Sequence, residues 1–140
     1  MRRSVLRAFV KERAQGRCEY CQAPQDVCGY HFHLEHVIPI VLGGSDAESN
    51  RALACASCNL AKADRVSSED PLTGVGTPLF NPRAQTWEEH FRWADDQEWL
   101  EGLTAAGRAT VAALDMNSDL RRAARQLWFD AGLLPQTHNV

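Results

Sequence analysis

From residue 18 to residue 62 the sequence reads CEYCQAPQDVCGYHFHLEHVIPIVLGGSDAESNRALACASCNLAK. Two Cys-x-x-Cys pairs enclose most of this stretch, Cys18 with Cys21 and Cys55 with Cys58. Four thiolates at this spacing suit a closed tetrahedral zinc site that stabilises a fold, and the plainer alternative is a set of reduced core thiols. The two matched pairs favour zinc over that alternative.

Candidate ligands for a harder cation than zinc lie between the cysteine pairs and directly after them. Glu35 and His36 are adjacent within the interval, and Asn59 follows the last cysteine. Their oxygen and nitrogen atoms suit a second divalent cation, of the kind that supports hydrolysis. The alternative for Glu35 and His36 is a polar dipeptide on the surface of a strand. One metal would stabilise the chain, and another would take part in chemistry.

The order of short elements around these residues predicts two strands and a helix. Residues 30–40 are rich in β-branched and aromatic side chains, which favours a strand. A flexible turn at 43–46 leads to a short apolar run at 52–54, and a helix is predicted over 57–63. The sequence therefore predicts a ββα unit around a cation.

Side-chain alternation along the first strand bears on this site. His31, His33 and Glu35 share one face of an extended chain, whereas His36 begins on the other face. A bend or bulge near Pro39 would be needed for Glu35 and His36 to approach one cation. The two other histidines could line a cleft, although polar surface is the commoner role for such residues.

Composition limits the remaining possibilities. The chain has 140 residues and a formal net charge of −3, which suits one domain or a domain with an appended lobe. Residues 1–65 contain nine Lys or Arg against seven Asp or Glu, giving +2, and residues 66–140 contain six against eleven, giving −5. No stretch approaches the roughly 20 apolar residues of a membrane span. We expect a cytoplasmic protein with reduced cysteines and a modest, salt-dependent affinity for nucleic acid.

Capping residues predict helices on both sides of the ββα unit. Ser4 would begin a helix over residues 5–15, and Thr86, Thr104 and Ser118 would begin three helices in the second half. The first of these three would place on one stripe the side chains of Trp87, Phe91 and Ala94.

The last predicted helix would run from Ser118 to near Gly132. Its expected buried face consists of Leu120, Ala124, Leu127 and Ala131. Its expected exposed face consists of Arg121, Arg122 and Arg125. Such a face could contact a phosphate backbone, although a solvated surface is the commoner role. The fifth cysteine, Cys28, is expected to be a small side chain in or near the core.

These elements together resemble a known family. The segment from Cys18 to Arg65 is similar to the HNH endonucleases, also called ββα-metal or His-Me finger nucleases, in the subset braced by a four-cysteine zinc. The matching strings are Glu35-His36-Val37-Ile38-Pro39, Gly43-Gly44-Ser45-Asp46, Asn50 before Arg51-Ala52-Leu53-Ala54-Cys55, and Cys58-Asn59-x-x-Lys62. The second half also resembles the tail of small bacterial standalone HNH proteins, a tail without an assigned function.

The resemblance implies an α+β fold with two parts. Residues 1–65 would form the ββα-metal core with its four-cysteine zinc site and an N-terminal helix. Residues 66–140 would form a mainly helical extension packed on that core as one compact unit.

The resemblance also implies a role for each candidate site residue. His36 would activate water for attack on a phosphodiester bond, because a neutral imidazole can accept a proton near pH 7. Glu35 and Asn59 would hold a catalytic Mg²⁺ or Mn²⁺. Asn50 would orient the loop or the imidazole through hydrogen bonds, although an isolated Asn at this place is commonly a turn residue.

Two basic residues at the end of the predicted helix are candidates for contact with nucleic acid. They are Lys62 and Arg65. The alternative for Lys62 is a charge that stabilises the helix C-terminus.

The motif departs from the family name at its third letter, because the matching residue is Asn59 rather than His. This makes the chain an H-N-N variant, and Glu35 stands where Asp is frequent. An amide carbonyl is a competent ligand for Mg²⁺ or Mn²⁺ and a poor one for softer ions. The departure therefore narrows the choice of metal.

We interpret the sequence as a metal-dependent HNH endonuclease that cuts DNA, with no membrane association and no organic cofactor. The oligomeric state does not follow from the sequence. One alternative is a noncatalytic zinc-stabilised module that binds nucleic acid or protein through the same fold. A further alternative is an RNA-cleaving toxin that uses the same chemistry.

Overall fold

Six helices and six short strands form the part of the chain that the structure, a computed structural model, describes, residues 2–136. The helices are α1 (Arg3–Arg13), α2 (Gln25–Cys28), α3 (Ala56–Lys62), α4 (Trp87–His90), α5 (Ala105–Ala113) and α6 (Asp119–Asp130). The strands are β1 (His33–His36), β2 (Arg51–Ala54), β3 (Ser67–Glu69), β4 (Gly76–Pro78), β5 (Phe91–Trp93) and β6 (Leu100–Gly102). They pair into three antiparallel hairpins, β1 with β2, β3 with β4 and β5 with β6. Within residues 2–136, no helix is long and apolar enough to cross a membrane.

The first hairpin and the helix after it form the predicted ββα unit, which is confirmed. In the β1–β2 register Glu35 lies opposite Ala52, and His36 lies opposite Arg51. Strand β1 is shorter than the predicted strand over 30–40. Pro39 cannot donate a backbone hydrogen bond, and a 3₁₀ turn follows it directly, so pairing ends soon after His36.

Helix α1 packs against this hairpin through buried Leu6 and Val10. The helix begins at Arg3, and its N-cap is Arg2 without a side-chain capping bond, so the predicted cap at Ser4 is wrong. The guanidinium of Arg13 donates to the carbonyl oxygen of Arg51 at 2.6 Å. Helix α1 is thereby fixed to the strand that leads into the second cysteine pair.

In the second half, one predicted helix is confirmed and another is wrong. Thr104 caps α5, because its hydroxyl accepts a hydrogen bond from the Gly107 amide at 3.0 Å. Helix α4, however, ends at His90, and the chain continues as β5 instead of extending a stripe from Trp87 to Ala94. Helix α5 approaches the end of α4 closely at Gly107. Any larger residue would clash there, since a Cβ at this position would lie only 2.1 Å from the His90 carbonyl oxygen.

Helix α6 lies close to its predicted bounds, but the predicted orientation is reversed. Leu120 and Leu127 are 84% and 67% exposed, although the apolar pattern predicts them in the core. Arg125 is 2% exposed, although the same pattern predicts it on the surface. Its guanidinium donates to the carbonyl oxygen of Met116 at 2.7 Å. The buried face of α6 therefore carries Arg125, whose guanidinium has a backbone acceptor, together with Trp128 and Phe129, which pack against the core and against Trp93.

The extension covers the loop of the first cysteine pair. The indole of Trp87 donates to the carbonyl oxygen of Tyr20 at 2.8 Å, and the Phe80 ring meets the Tyr20 ring edge-on. Arg83 forms an ion pair with Glu19. Buried apolar residues from both halves form one continuous cluster. The loop of the first cysteine pair is therefore fixed by contacts with the extension.

A buried carboxylate links the β3–β4 hairpin to α5. Both oxygens of Asp70 accept from the Arg108 guanidinium, at 3.0 Å and 2.9 Å. This bidentate contact, aided by hydrogen bonds from the Leu72 amide and the Thr73 hydroxyl, lowers the pKa of Asp70 to about 2. An unfolded Asp has a pKa of about 4, so the contact stabilises the fold above that pH.

We expect this contribution to disappear as the pH falls from about 4 towards about 2, because Asp70 then becomes protonated in the folded state. The free energy of unfolding of Asp70→Asn should be lower than that of the wild type at pH 6, and the difference should shrink at acid pH. Denaturant unfolding at a series of pH values measures both quantities. A difference that stays constant down to pH 2 would contradict this linkage.

Candidate functional site

Four buried cysteines from two separate parts of the chain meet at the N-terminus of α3. They are Cys18, Cys21, Cys55 and Cys58, and their Sγ atoms all lie within 4.8 Å of one another. The contact between the sulfur atoms of Cys21 and Cys55 is 3.7 Å long. A tetrahedral zinc site with Zn–S bonds of about 2.3 Å has S–S edges of about 3.8 Å. The cluster therefore fits zinc both in ligand type and in size, and its predicted assembly is confirmed.

Local backbone structure presents these sulfur atoms. Cys55 is the N-cap of α3, and its Sγ accepts from the Cys58 amide at 3.4 Å. Burial raises the pKa of the Cys18 and Cys58 thiols, whereas hydrogen bonds from the other three cysteines lower the pKa of Cys21. Four thiolates in this dry space need a cation, so metal binding would release protons and weaken as the pH falls.

An open cleft of about 540 Å³ lies between α1, β1 and α3. Glu35, His36 and Asn59 all line it, so the structure brings these three candidates to one cavity. The other ionisable lining residues are Arg3, Arg7, His31, His33 and Asp64. A concave site with convergent polar groups is the usual setting for ligand binding and catalysis.

The imidazole of His36 is held by a carboxylate from the following loop. Its Nε2 lies 2.7 Å from Oδ1 of Asp46, and the same oxygen accepts from Arg51 at 3.0 Å. The hydrogen bond with His36 lowers the pKa of Asp46, so this carboxylate is ionised near neutral pH. An ionised acceptor requires Nε2 to carry a proton, so Nδ1 is the ring nitrogen that can accept a proton in the neutral form of the imidazole.

Glu35 belongs to a buried polar cluster beneath the cleft. Its side chain is only 5% exposed, and Oε1 lies 2.6 Å from Nζ of Lys62. Nζ also donates to the Val37 carbonyl oxygen at 3.0 Å, and the hydroxyl of buried Tyr20 lies beside the carboxylate. Burial raises the pKa of Glu35, and the ammonium of Lys62 acts in the opposite direction.

The two candidate cation ligands differ in the contacts that they already make. Neither carboxylate oxygen of Glu35 has a hydrogen bond of regular geometry within residues 2–136. The half-buried side chain of Asn59 likewise makes no hydrogen bond to the described part of the chain. Within the described residues the Asn59 amide therefore has capacity for a cation, whereas the carboxylate of Glu35 already has Lys62 as a charged partner. The donor set of one carboxylate and one amide, with room for waters, fits Mg²⁺ or Mn²⁺.

Asn50 holds the loop between β1 and β2 in shape. Its Oδ1 accepts from the Ile38 amide at 3.0 Å, and its Nδ2 donates to the carbonyl oxygens of Ile38 and Ser45 at 2.9 and 2.8 Å. The loop is so tight that a Cβ at Gly44 would lie 1.7 Å from the Ile38 oxygen. Asn50 thus contacts the loop that carries Asp46, and no hydrogen bond within residues 2–136 joins it to His36.

The two basic residues predicted to contact nucleic acid have different environments. Lys62 is 2% exposed, so its ammonium is committed to Glu35 and Val37. The expected phosphate contact of Lys62 is therefore wrong. Arg65 is exposed, although its guanidinium donates to the carbonyl oxygens of Ala61 and Ala113 at 2.6 and 2.9 Å. A role for Arg65 in binding stays a prediction.

Three residues in or beside the cleft, Asp46, Arg3 and Arg7, received no site role from the sequence. Asp46 was assigned only to a glycine-rich turn, and no pattern in the sequence pointed to its contact with His36. Arg3 and Arg7 reach the cleft from α1 at helical spacing, four residues apart. His31 and His33 are exposed, as a polar surface role would require, and they nevertheless line the cleft.

Comparison with known proteins adds one finding to this geometry. No curated protein and no solved structure matches the chain. One family model matches, over the segment that contains the four cysteines, β1, β2, α3 and the cleft residues Glu35, His36 and Asn59. That family is described as HNH endonuclease, and its model matches residues 18–65 of this chain.

Proposed function

We propose that the protein is a metal-dependent endonuclease that hydrolyses phosphodiester bonds in DNA. The proposal goes beyond the family match, which supports a nuclease type of function and a nucleic acid as the substrate. In this proposal His36 is the general base, Glu35 and Asn59 hold a divalent cation, and Asn50 positions the loop.

The observation that carries the proposal is the contact of 2.7 Å between His36 and Asp46 in a cleft shared with Glu35 and Asn59. A base that activates water needs a neutral nitrogen in a fixed orientation. Asp46 supplies the orientation and keeps the proton on Nε2, so Nδ1 accepts the proton of the attacking water. Arg51 fixes Asp46 in turn, through the 3.0 Å contact to the same carboxylate oxygen.

Glu35 and Asn59 would hold the cation, which when bound neutralises charge on the phosphate and on the leaving oxygen. Arg3 and Arg7 would contact phosphate at the edge of the same cleft. Arg3 is exposed and has no ion-pair or hydrogen-bond partner within residues 2–136, so it is free to do so. Arg7 donates to the Phe32 carbonyl oxygen at 2.9 Å and would keep further N–H groups for a ligand.

A second candidate function is a noncatalytic zinc-stabilised module that binds nucleic acid. The ion pair between Glu35 and Lys62 favours it, because an ammonium 2.6 Å from the carboxylate already supplies the charge that a cation would bring. In that case the cleft would still bind phosphate through Arg3 and Arg7, but no cation would be held there.

Plasmid cleavage tests the proposal. Zinc-loaded protein, freed of excess metal, is incubated with supercoiled plasmid in Mg²⁺, in Mn²⁺ or without an added divalent cation, and a matched RNA is tested in parallel. We expect nicked or linear DNA only with added Mg²⁺ or Mn²⁺. DNA binding without cleavage in any metal would overturn the nuclease proposal in favour of the binding module. Cleavage of RNA alone would reassign the substrate.

A further inference from the structure

The extension contributes a charged side chain to the cysteine cluster. Nη2 of Arg121, in the first turn of α6, lies 2.9 Å from Sγ of Cys58. Nη1 of the same guanidinium donates to the carbonyl oxygens of Leu114 and Asp115, at 2.6 Å and 3.1 Å. The guanidinium is therefore fixed at the end of α5 and directed at one of the four sulfur atoms.

No other charged side chain within residues 2–136 donates to any of the four cysteine sulfurs. The only backbone donor to them in this part of the chain is the Cys58 amide, which serves Cys55. Among the described residues, Arg121 is thus the one charged side chain that donates a hydrogen bond to the cysteine cluster. The apolar pattern of α6 did not predict this contact.

The charge of the cluster makes this contact important. Four thiolates around Zn²⁺ carry a net charge of −2, and the cysteines are at most 5% exposed. Uncompensated charge in such a dry place is costly, whereas a charge-assisted hydrogen bond offsets part of that cost. Arg keeps its charge at all relevant pH values, and its planar fork can serve the two carbonyls and the sulfur together.

We propose that Arg121 is a positioning residue of the zinc site, which stabilises the metal-bound thiolate of Cys58 and thereby couples the extension to zinc binding. The segment that matches the HNH family ends at residue 65, so the zinc site of this chain is completed by a residue from outside that segment. The inference concerns the structural metal and does not depend on catalysis.

Zinc affinity and cobalt spectroscopy test this proposal with full-length protein. The zinc dissociation constant of Arg121→Gln is measured by competition with a chromogenic chelator. Residues that hydrogen-bond to metal ligands without binding the metal commonly change affinity 10- to 100-fold, and we expect a weakening of that order. In Co²⁺-substituted protein the sulfur-to-metal charge-transfer band should shift, because loss of the N–H···S bond changes the electron density on Cys58.

Arg122→Gln is the matched control. Arg122 is the next residue of α6, and it contacts Glu98, Asp119 and the Trp99 ring without touching a cysteine. Its replacement should lower stability while leaving zinc affinity and the cobalt band unchanged. Equal changes in both variants would show a general effect of loosening α6 and would overturn the proposal, as would a wild-type affinity and spectrum in Arg121→Gln.

Arg121→Lys keeps the experiment decisive if the glutamine variant does not fold. Lys retains the positive charge but lacks the planar fork, so we expect a zinc affinity between those of the wild type and Arg121→Gln, with a shifted cobalt band. A lysine variant that matches the wild type in both measurements would show that no directed bond from residue 121 is required, and would overturn the proposal.

Discussion

Replacement of His36 by alanine is expected to lower the rate of DNA cleavage by about 10²- to 10⁴-fold, the range typical of a lost general base. The imidazole is the basic group of the cleft that a carboxylate holds in one orientation, through the 2.7 Å contact with Asp46. Single-turnover cleavage with protein in excess over DNA measures the chemical step, and DNA binding measured separately should change little.

His33→Ala is the matched control for this prediction. His33 lies on the same strand, lines the same cleft and is exposed, but it has no carboxylate partner among the hydrogen bonds of residues 2–136. Its loss should leave the chemical step within a few-fold of the wild type. Asp46→Asn should give an intermediate rate, because the ring stays in place but its protonation state is no longer fixed. Equal rates for His36→Ala and the wild type would remove His36 from the mechanism.

Replacement of Cys58 by serine is expected to abolish the folded state at ordinary temperatures. Structural zinc sites in small peptides contribute about 10–16 kcal/mol of apparent binding free energy, which rivals the roughly 5–15 kcal/mol net stability of a domain. Cys58 also lies in the first turn of α3 and receives the Arg121 contact, so its loss breaks the link to α6 as well. Circular dichroism during thermal unfolding, with measured zinc content, checks this result.

Cys28→Ser separates the metal site from a general effect of losing a thiol. Cys28 is half-buried beside the core and is not one of the four clustered cysteines. This variant should bind one zinc per chain and unfold close to the wild-type temperature. A folded Cys58→Ser protein of wild-type stability would show that the four cysteines are only buried thiols.

The parts of the fold that the sequence predicted well are those set by covalent order and by periodicity. Two cysteine pairs at fixed spacing must converge if they share a metal, and the short strands and the helix after β2 follow from local patterns. The gathering of Glu35, His36 and Asn59 at one cleft is a consequence of that arrangement. Short-range sequence signals suffice to predict the ββα unit because few other folds satisfy all of these signals together.

Misassigned features depended on contacts between distant parts of the chain. The face of α6 was predicted from apolar spacing, yet long-range acceptors such as the Met116 carbonyl and the Cys58 sulfur draw its arginines inward. The helix at Trp87 ends early because Phe91 begins a strand that pairs with Gly102. Lys62 was a candidate for phosphate contact or for a charge at the helix C-terminus, but its ammonium is buried 2.6 Å from the carboxylate of Glu35. Hydrogen-bond and ion-pair partners that are distant in the chain produce no periodic pattern in the sequence, so the sequence did not predict them.

The contacts between the extension and the first cysteine-pair loop bear on which part of the chain can fold by itself. Trp87 donates to the Tyr20 carbonyl, and Arg83 pairs with Glu19, both within the loop that presents the first two thiols. A fragment cut at residue 65, where the family match ends, would expose that loop and leave its polar groups without partners. We therefore expect a fragment that ends at residue 65 to be less stable than the full chain, so the end of the family match should not be taken as the end of a folding unit.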